Sequence, residues 1–156
     1  MIRLIDNQLL TEVSREAAAS PRGRKNRNFH AGDDHPANRL LNAIEPGSYV
    51  RPHRHLDPTK DETMVVLRGR LGLVEFDDAG GVLRAVLLAA GAAACGVDIG
   101  HGTWHSVLAL EPGTIFLEAK AGPYRPLTTE EQAPWAPAEG TPEAQGYLDQ
   151  LLRRLR

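Results

Sequence analysis

Apolar and polar residues alternate along this chain over short stretches, and turn residues separate them. Arg39–Ile44 (RLLNAI), Glu62–Arg68, Leu71–Asp77, Val82–Leu88, Gly96–Ile99, Trp104–Leu110 and Thr114–Lys120 each read as a strand. Pro46-Gly47, Asp77–Gly81, Gly100–Thr103 and Glu111–Gly113 read as turns. Glu62–Arg68 and Leu71–Asp77 flank Gly69 and together read as a hairpin. About eight to ten short strands, spaced about ten residues apart, predict an antiparallel β-sandwich or barrel.

A helical period replaces the alternation at the two ends. Leu9, Leu10, Val13 and Ala17 share one face of a helix predicted from about Asn7 to Ala19, with Asp6 as its N-cap and Ser20-Pro21 as its stop. Ile2–Ile5 reads as a short strand or an extended lead-in. Thr141-Pro142 starts a second helix, with Leu148, Leu151, Leu152 and Leu155 on its apolar face. Arg153, Arg154 and Arg156 suit the negative end of its dipole. Between helix and barrel, Arg22–Asn38 is polar and reads as a surface loop with a short strand at Asn28–His30; the functional alternative brings Arg24, Asn28 and His30 to a pocket. The Pro-rich stretch after Lys120 reads as a coil wrapping the barrel, anchored by Tyr124 and Trp135.

Length and charge narrow the classes. A chain of 156 residues predicts one domain over 1–156, with a barrel over about 28–120 and the wrapping coil and second helix over about 121–156. The only cysteine, Cys95, allows no intramolecular disulfide; it is expected as a small buried hydrophobe, in keeping with a reducing, cytoplasmic setting. No signal peptide and no membrane span is expected, because MIRLIDNQLL carries Arg3 and Asp6 and no long apolar run follows. A net charge of −2 and a pI near 6.3 argue against a nucleic-acid binder, despite the basic run Arg22–Arg27. Nucleophile, phosphate-loop and dinucleotide motifs are absent from the sequence.

The chemistry concentrates in Gly47–Gly69. On a strand His53 and His55 project to one side, with Cα atoms about 6.6 Å apart, close enough to share one ion. Glu62 opens the returning strand, and His105 opens a later one in GHGTWHSVLAL. Three imidazoles and a carboxylate inside a small barrel suit one divalent transition metal: Fe, Mn, Zn, Ni or Co. Tyr49 and Arg51 have the parity of His53 and His55, and are expected to face the interior as pocket residues. Lys120 and Glu118 share a face; turned inward, Lys120 would hold an anionic substrate group. Trp104 is expected in packing and His101 at an exposed rim.

Gly47-x5-His53-x-His55-x6-Glu62-x6-Gly69 resembles the first conserved motif of the cupin superfamily, with a longer loop at Leu56–Asp61 than is usual. Gly100-x-Gly102-x-x-His105 resembles the end of the second, with Gly100 where Pro is common and Ala109 where Asn is common. RKNRNFH, RLLNAIEPGSYVRPHRH, GTWHSVLAL, FLEAKAGPYRP and APWAPAEG resemble the WbuC family of bacterial cupin-fold metalloproteins over most of the chain. The resemblance implies a mainly-β fold, a cupin double-stranded β-helix or jelly-roll barrel with N- and C-terminal helices, holding a metal on His53, His55, Glu62 and His105. It also turns Lys120 and Tyr124 toward the pocket, beside Arg51, Tyr49 and His30. The family is associated with O-antigen and other surface-polysaccharide gene neighbourhoods, and the resemblance assigns no activity.

Three functions are open at this point. One is a metal-dependent enzyme, of oxygenase or isomerase type, on a small sugar-like molecule. Another is a non-catalytic metal- or ligand-binding module. The third is a metal-free isomerase or epimerase with a histidine base. A homodimer is expected, with no nucleic-acid or membrane partner.

Overall fold

Helix α1 (Asn7–Ala19) begins where the Asp6 carboxylate accepts the Leu9 N–H at 2.9 Å, as its sequence predicts. Eight strands follow among the described residues: β1 (Arg24–Asn28), β2 (Ala37–Ile44), β3 (Glu62–Arg68), β4 (Arg70–Phe76), β5 (Val82–Ala89), β6 (Gly96–Ile99), β7 (Trp104–Ala109) and β8 (Thr114–Ala121). Helix α2 (Pro142–Arg153) closes the chain, with Pro142 in its first turn. This computed structural model describes residues 1–155; Arg156, expected at the dipole end of α2, lies outside the described residues.

The strands form two antiparallel sheets, one of five strands in the order β1-β2-β8-β3-β6 and one of three in the order β5-β4-β7. Alternation sorts each sheet's side chains into two faces. Ile44, Met64, Val66 and Phe116 of the large sheet meet Leu71, Leu73, Leu88 and Val107 of the small one, forming the barrel core. Behind the large sheet, Leu41, Ala43 and Ile115 bury the Leu10, Val13 and Ala17 face of α1. Behind the small sheet, Val74, Phe76, Trp104 and Leu108 bury the Leu148, Leu151 and Leu155 face of α2. The molecule is a mainly-β jelly-roll barrel with one helix on each outer face. No helix among the described residues is long and apolar enough to cross a membrane.

Several expectations need correction. β3 and β4 do not pair as a hairpin; β3 lies between β8 and β6, and β4 between β5 and β7. Gly69 carries the chain from one sheet to the other with φ +76°, and a Cβ there would stand 2.8 Å from the Cα of Thr114, so the crossing needs glycine. β1 lies at Arg24–Asn28, where a loop was expected, because an edge strand flanked by polar surroundings needs no apolar alternation. Cys95 is exposed, in the loop before β6. Tyr124 has a 51% exposed side chain and ties the coil down only through its backbone, its N–H donating to Asp33 O at 2.7 Å, whereas Trp135 packs against Phe76 and Trp104, ring centroids 5.0 and 6.1 Å away.

Candidate metal centre

Ser48–His55 is an extended segment and not a strand; its only bridges join His53 to His105 and to Gln132. Pro52 has no N–H to give to a ladder, and side chains take the neighbouring carbonyls: Ser106 Oγ donates to Val50 O at 2.6 Å and Arg24 to Tyr49 O at 3.1 Å. Irregular backbone breaks the two-residue parity, and this corrects the placement of Tyr49 and Arg51. Tyr49 packs in the α2-facing core and its hydroxyl donates to Pro137 O at 2.9 Å. Arg51 donates to Gln132 Oε1 at 3.1 Å and Ala133 O at 2.6 Å, tying down the coil before α2. It is Val50 that packs toward the barrel core.

The structure does bring the histidines and the glutamate together. One ligating atom each from His53, His55 and Glu62 lie within 4.8 Å of one another. His105 Nε2 is 3.2 Å from Glu62 Oε2, and its ring is 4.5 Å from that of His53 and 6.3 Å from that of His55. A reciprocal backbone pair fixes the two histidine-bearing segments: His53 N–H to His105 O at 3.0 Å and His105 N–H to His53 O at 2.9 Å. β3 supplies Glu62, 2% exposed, from its first residue.

Ring orientation decides what these imidazoles can do. His53 Nδ1 stands 3.0 Å from Arg51 O and His105 Nδ1 3.0 Å from Thr103 O. A carbonyl only accepts, so each Nδ1 carries the proton and a neutral ring turns its Nε2 lone pair inward. Burial, and then His105, push His53 down to about 3, so it is neutral at physiological pH. Burial opposes ionisation of Glu62, but hydrogen bonds from His105 and His55 when their Nε2 carries a proton, and the Lys120 ammonium, hold it well below the usual carboxylate range. Glu62 Oε2 and His105 Nε2 are nevertheless buried without a hydrogen-bond partner. Two facing acceptors are satisfied by a proton on the imidazole or by a cation between them. The donor set therefore fits a divalent transition metal.

Lys120 sits beside the cluster on β8, its ammonium 3.0 Å from Glu62 Oε1, 3.0 Å from Glu118 Oε1 and 3.2 Å from His55 Nε2. The two carboxylates raise it despite burial. Burial first, and then Glu62, push Glu118 up to about 7. A cavity of about 270 Å³ contains His53, Glu62, Glu118 and Lys120 and opens past Arg22, Arg24 and Lys25. Beyond Lys120 a second, of about 320 Å³, brings in His30, Asn28 and Tyr124. His30 thus lines a pocket, with its Nδ1 3.1 Å from the Arg39 backbone. His101 is exposed at the rim, where it meets Asp61. The sequence reading missed Asn26, Asn38 and Asn42 in these walls; their even spacing, 26–28 and 38–42 on two strands, is the signal that could have found them.

The model of one family, a domain of unknown function (DUF6016), matches residues 5–88, over half of the chain. No curated protein matches the sequence. Among solved structures the chain is similar to KdgF from Halomonas sp., at 20% identity and TM-score 0.52, covering 69% of this chain and 85% of that one. It is similar to the conserved SPY1581 protein of unknown function from Streptococcus pyogenes, at 12% identity and TM-score 0.54, covering 80% and 91%. A cupin-2 domain containing protein from Shewanella frigidimarina matches at 21% identity and TM-score 0.47, covering 63% and 80%. The first two likenesses are of fold: the chain is built as a jelly-roll barrel.

Proposed function

The chain belongs to the DUF6016 family, and from that premise we propose that it is a cupin metalloprotein holding one divalent transition metal on His53, His55, Glu62 and His105. The observation that carries this is the buried, unpartnered Glu62 Oε2 facing His105 Nε2, inside a cluster whose rings are oriented by backbone carbonyls. The metal would supply Lewis-acid or redox chemistry, with Fe, Mn, Zn, Ni or Co all suited to such donors. We read the protein as an enzyme acting on a small polar, sugar-like molecule. Lys120, shared by the metal cavity and the outer cavity, would orient Glu62 on one side and the substrate on the other. His30 and Tyr124 would contact the substrate from the outer wall. The second reading, a non-catalytic binding module, is favoured by the four-ligand set itself, because a tetrahedral zinc on all four has no open position.

The resemblance to the WbuC family belongs to this proposal, and with it a role in surface-polysaccharide synthesis and a cytoplasmic location. So does the organisation as one domain over 1–156. A homodimer is proposed from the exposed apolar residues Met1, Ile2, Leu4 and Ile5, which lie beside an apolar hollow of about 550 Å³ lined by Phe29 and Leu117. Light scattering behind size exclusion that returns a monomer removes the dimer.

Metal analysis of the purified protein beside a His53→Ala/His105→Ala variant tests the centre. Near-stoichiometric metal in the wild type and none in the variant is the expected result. A wild type that takes up no metal on reconstitution refutes the proposal. Iron or manganese would support the enzyme, and tightly held zinc the binding module.

A further inference from the structure

The inner face of a barrel sheet is where apolar residues belong, yet one corner of the large sheet is polar. Asn26 and Asn28 on β1, Asn38 and Asn42 on β2, and Glu118 and Lys120 on β8 all have inward parity. The register places Asn26 opposite Asn42, Asn42 opposite Phe116, and Asn38 opposite Lys120. Lys120 is in turn opposite Glu62. The polar stripe therefore runs from the proposed metal ligand to the free edge of the sheet.

Cavities follow the stripe. Asn26, Asn42, Glu118 and Lys120 line both the 270 Å³ metal cavity and the 320 Å³ outer cavity, so the two are neighbours across these side chains. Asn38 is 4% exposed and its Oδ1 has no hydrogen-bond partner, although it lines both the outer cavity and a 200 Å³ hollow beside His53 and His55. A buried amide oxygen without a partner at a cavity wall is able to accept a hydrogen bond from whatever fills the cavity.

In the outer cavity the one ammonium, Lys120, lies between two carboxylates, and the exposed Asp33 adds a negative charge. In the neighbouring walls the buried Lys60 donates to Ala121 O and Pro123 O, and Arg22 and Arg24 share Glu139, while Lys25 has no ion-pair partner among the described residues. What is left to meet a ligand in the outer cavity is carboxamide, apart from the Asn42 Nδ2 that donates to Glu118 Oε2 at 2.7 Å, and carboxamide both donates and accepts, as a hydroxyl does. The half-exposed Tyr124 ring at the rim offers an apolar face for the C–H side of a ring. We infer that the Asn26–Asn28–Asn38–Asn42 corner binds an uncharged polyhydroxylated ring, a neutral monosaccharide unit, and sets its selectivity against anionic sugars. The inference deepens the proposed enzyme reading and rests on it only for the ligand's proximity to the metal.

The test is calorimetric or ligand-observed NMR titration of the full-length protein, metal-loaded and chelator-treated. The probes are glucose, galactose and N-acetylglucosamine, each neutral, with glucuronate and glucose 6-phosphate as anionic counterparts. At least one neutral sugar should bind, and Asn26→Leu/Asn42→Leu should weaken it about tenfold or more, as expected for lost buried hydrogen bonds. Asn28→Ala, on the edge strand, is the fallback should the double variant not fold, and should weaken the same sugar. Binding by none of the neutral sugars overturns the inference, as does tighter binding of an anionic counterpart or indifference to the asparagine changes. Metal uptake without sugar binding sinks this inference alone, whereas sugar binding without metal uptake sinks only the metal centre.

Discussion

The two ends of the large sheet's inner face are built on the same strands and do opposite work. At one end Ile44, Met64, Val66 and Phe116 interlock with the small sheet and are almost fully buried. At the other, two to four residues along the same strands, stand Asn42, Glu118, Lys120 and Glu62, with cavities beside them. The apolar end gains free energy by leaving water, whereas the polar end forgoes that gain and carries buried charge that must be matched within the protein. A fold retains such a region when it binds something. Stability and function are thus segregated along a few strands, and substitutions at the two ends should separate them.

Phe116→Ala should have the largest effect, destabilising the protein by about 3–5 kcal/mol in chemical denaturation through the cavity it leaves. A loss well below that would mean the apolar end is not the structural core. Next comes Lys120→Met, which removes the only ammonium between Glu62 and Glu118. Breaking a buried pair costs about 3–5 kcal/mol, and the lower end is expected in metal-free protein because Glu118, pushed up to about 7, can take up a proton. Reconstitution with metal should narrow the difference from wild type in a thermal melt; an unchanged gap would place the proposed metal elsewhere.

Asn42→Leu should change stability by no more than about 1 kcal/mol in either direction, since Glu118 keeps its Lys120 partner while a carboxamide gives way to an apolar group. A large loss would make the asparagines structural and erase the contrast. The smallest effect belongs to Glu139→Gln. Burial would raise Glu139, but hydrogen bonds from Arg22 and Arg24 bring it down to about 2. A carboxylate depressed on folding adds stability above its unfolded pKa, and loses it as pH falls through the folded one. Wild type should therefore exceed the variant slightly near neutrality, and the difference should close between pH 4.5 and about 2. A difference independent of pH would mean the Arg22–Glu139–Arg24 contact contributes through packing alone.

Much of this architecture could be read from one chain because it is local. Helix α1 follows from the spacing of Leu10, Val13 and Ala17 and from a cap at Asp6, all within three turns. Strand ends at Glu62, Val82, Gly96 and Trp104 follow from alternation bounded by turn residues. The pairing of His53 with His55, and Glu62 before Gly69, marked the candidate centre because those residue types at that spacing have few other uses. Tertiary structure alone decided the rest. Whether β3 pairs with β4 or crosses to another sheet depends on which partners compete for its edges. Whether Tyr49 or Val50 faces inward depends on backbone bonds made to distant side chains. Asn26, Asn38 and Asn42 are ordinary polar residues until pairing brings β1, β2 and β8 together. The elements and the chemistry available were legible in the chain, because propensity and side-chain type are properties of neighbouring residues. Only the packed fold determined which groups share a cavity, because that depends on contacts between residues 76 to 117 positions apart, such as Asn42 with Glu118 and Arg22 with Glu139.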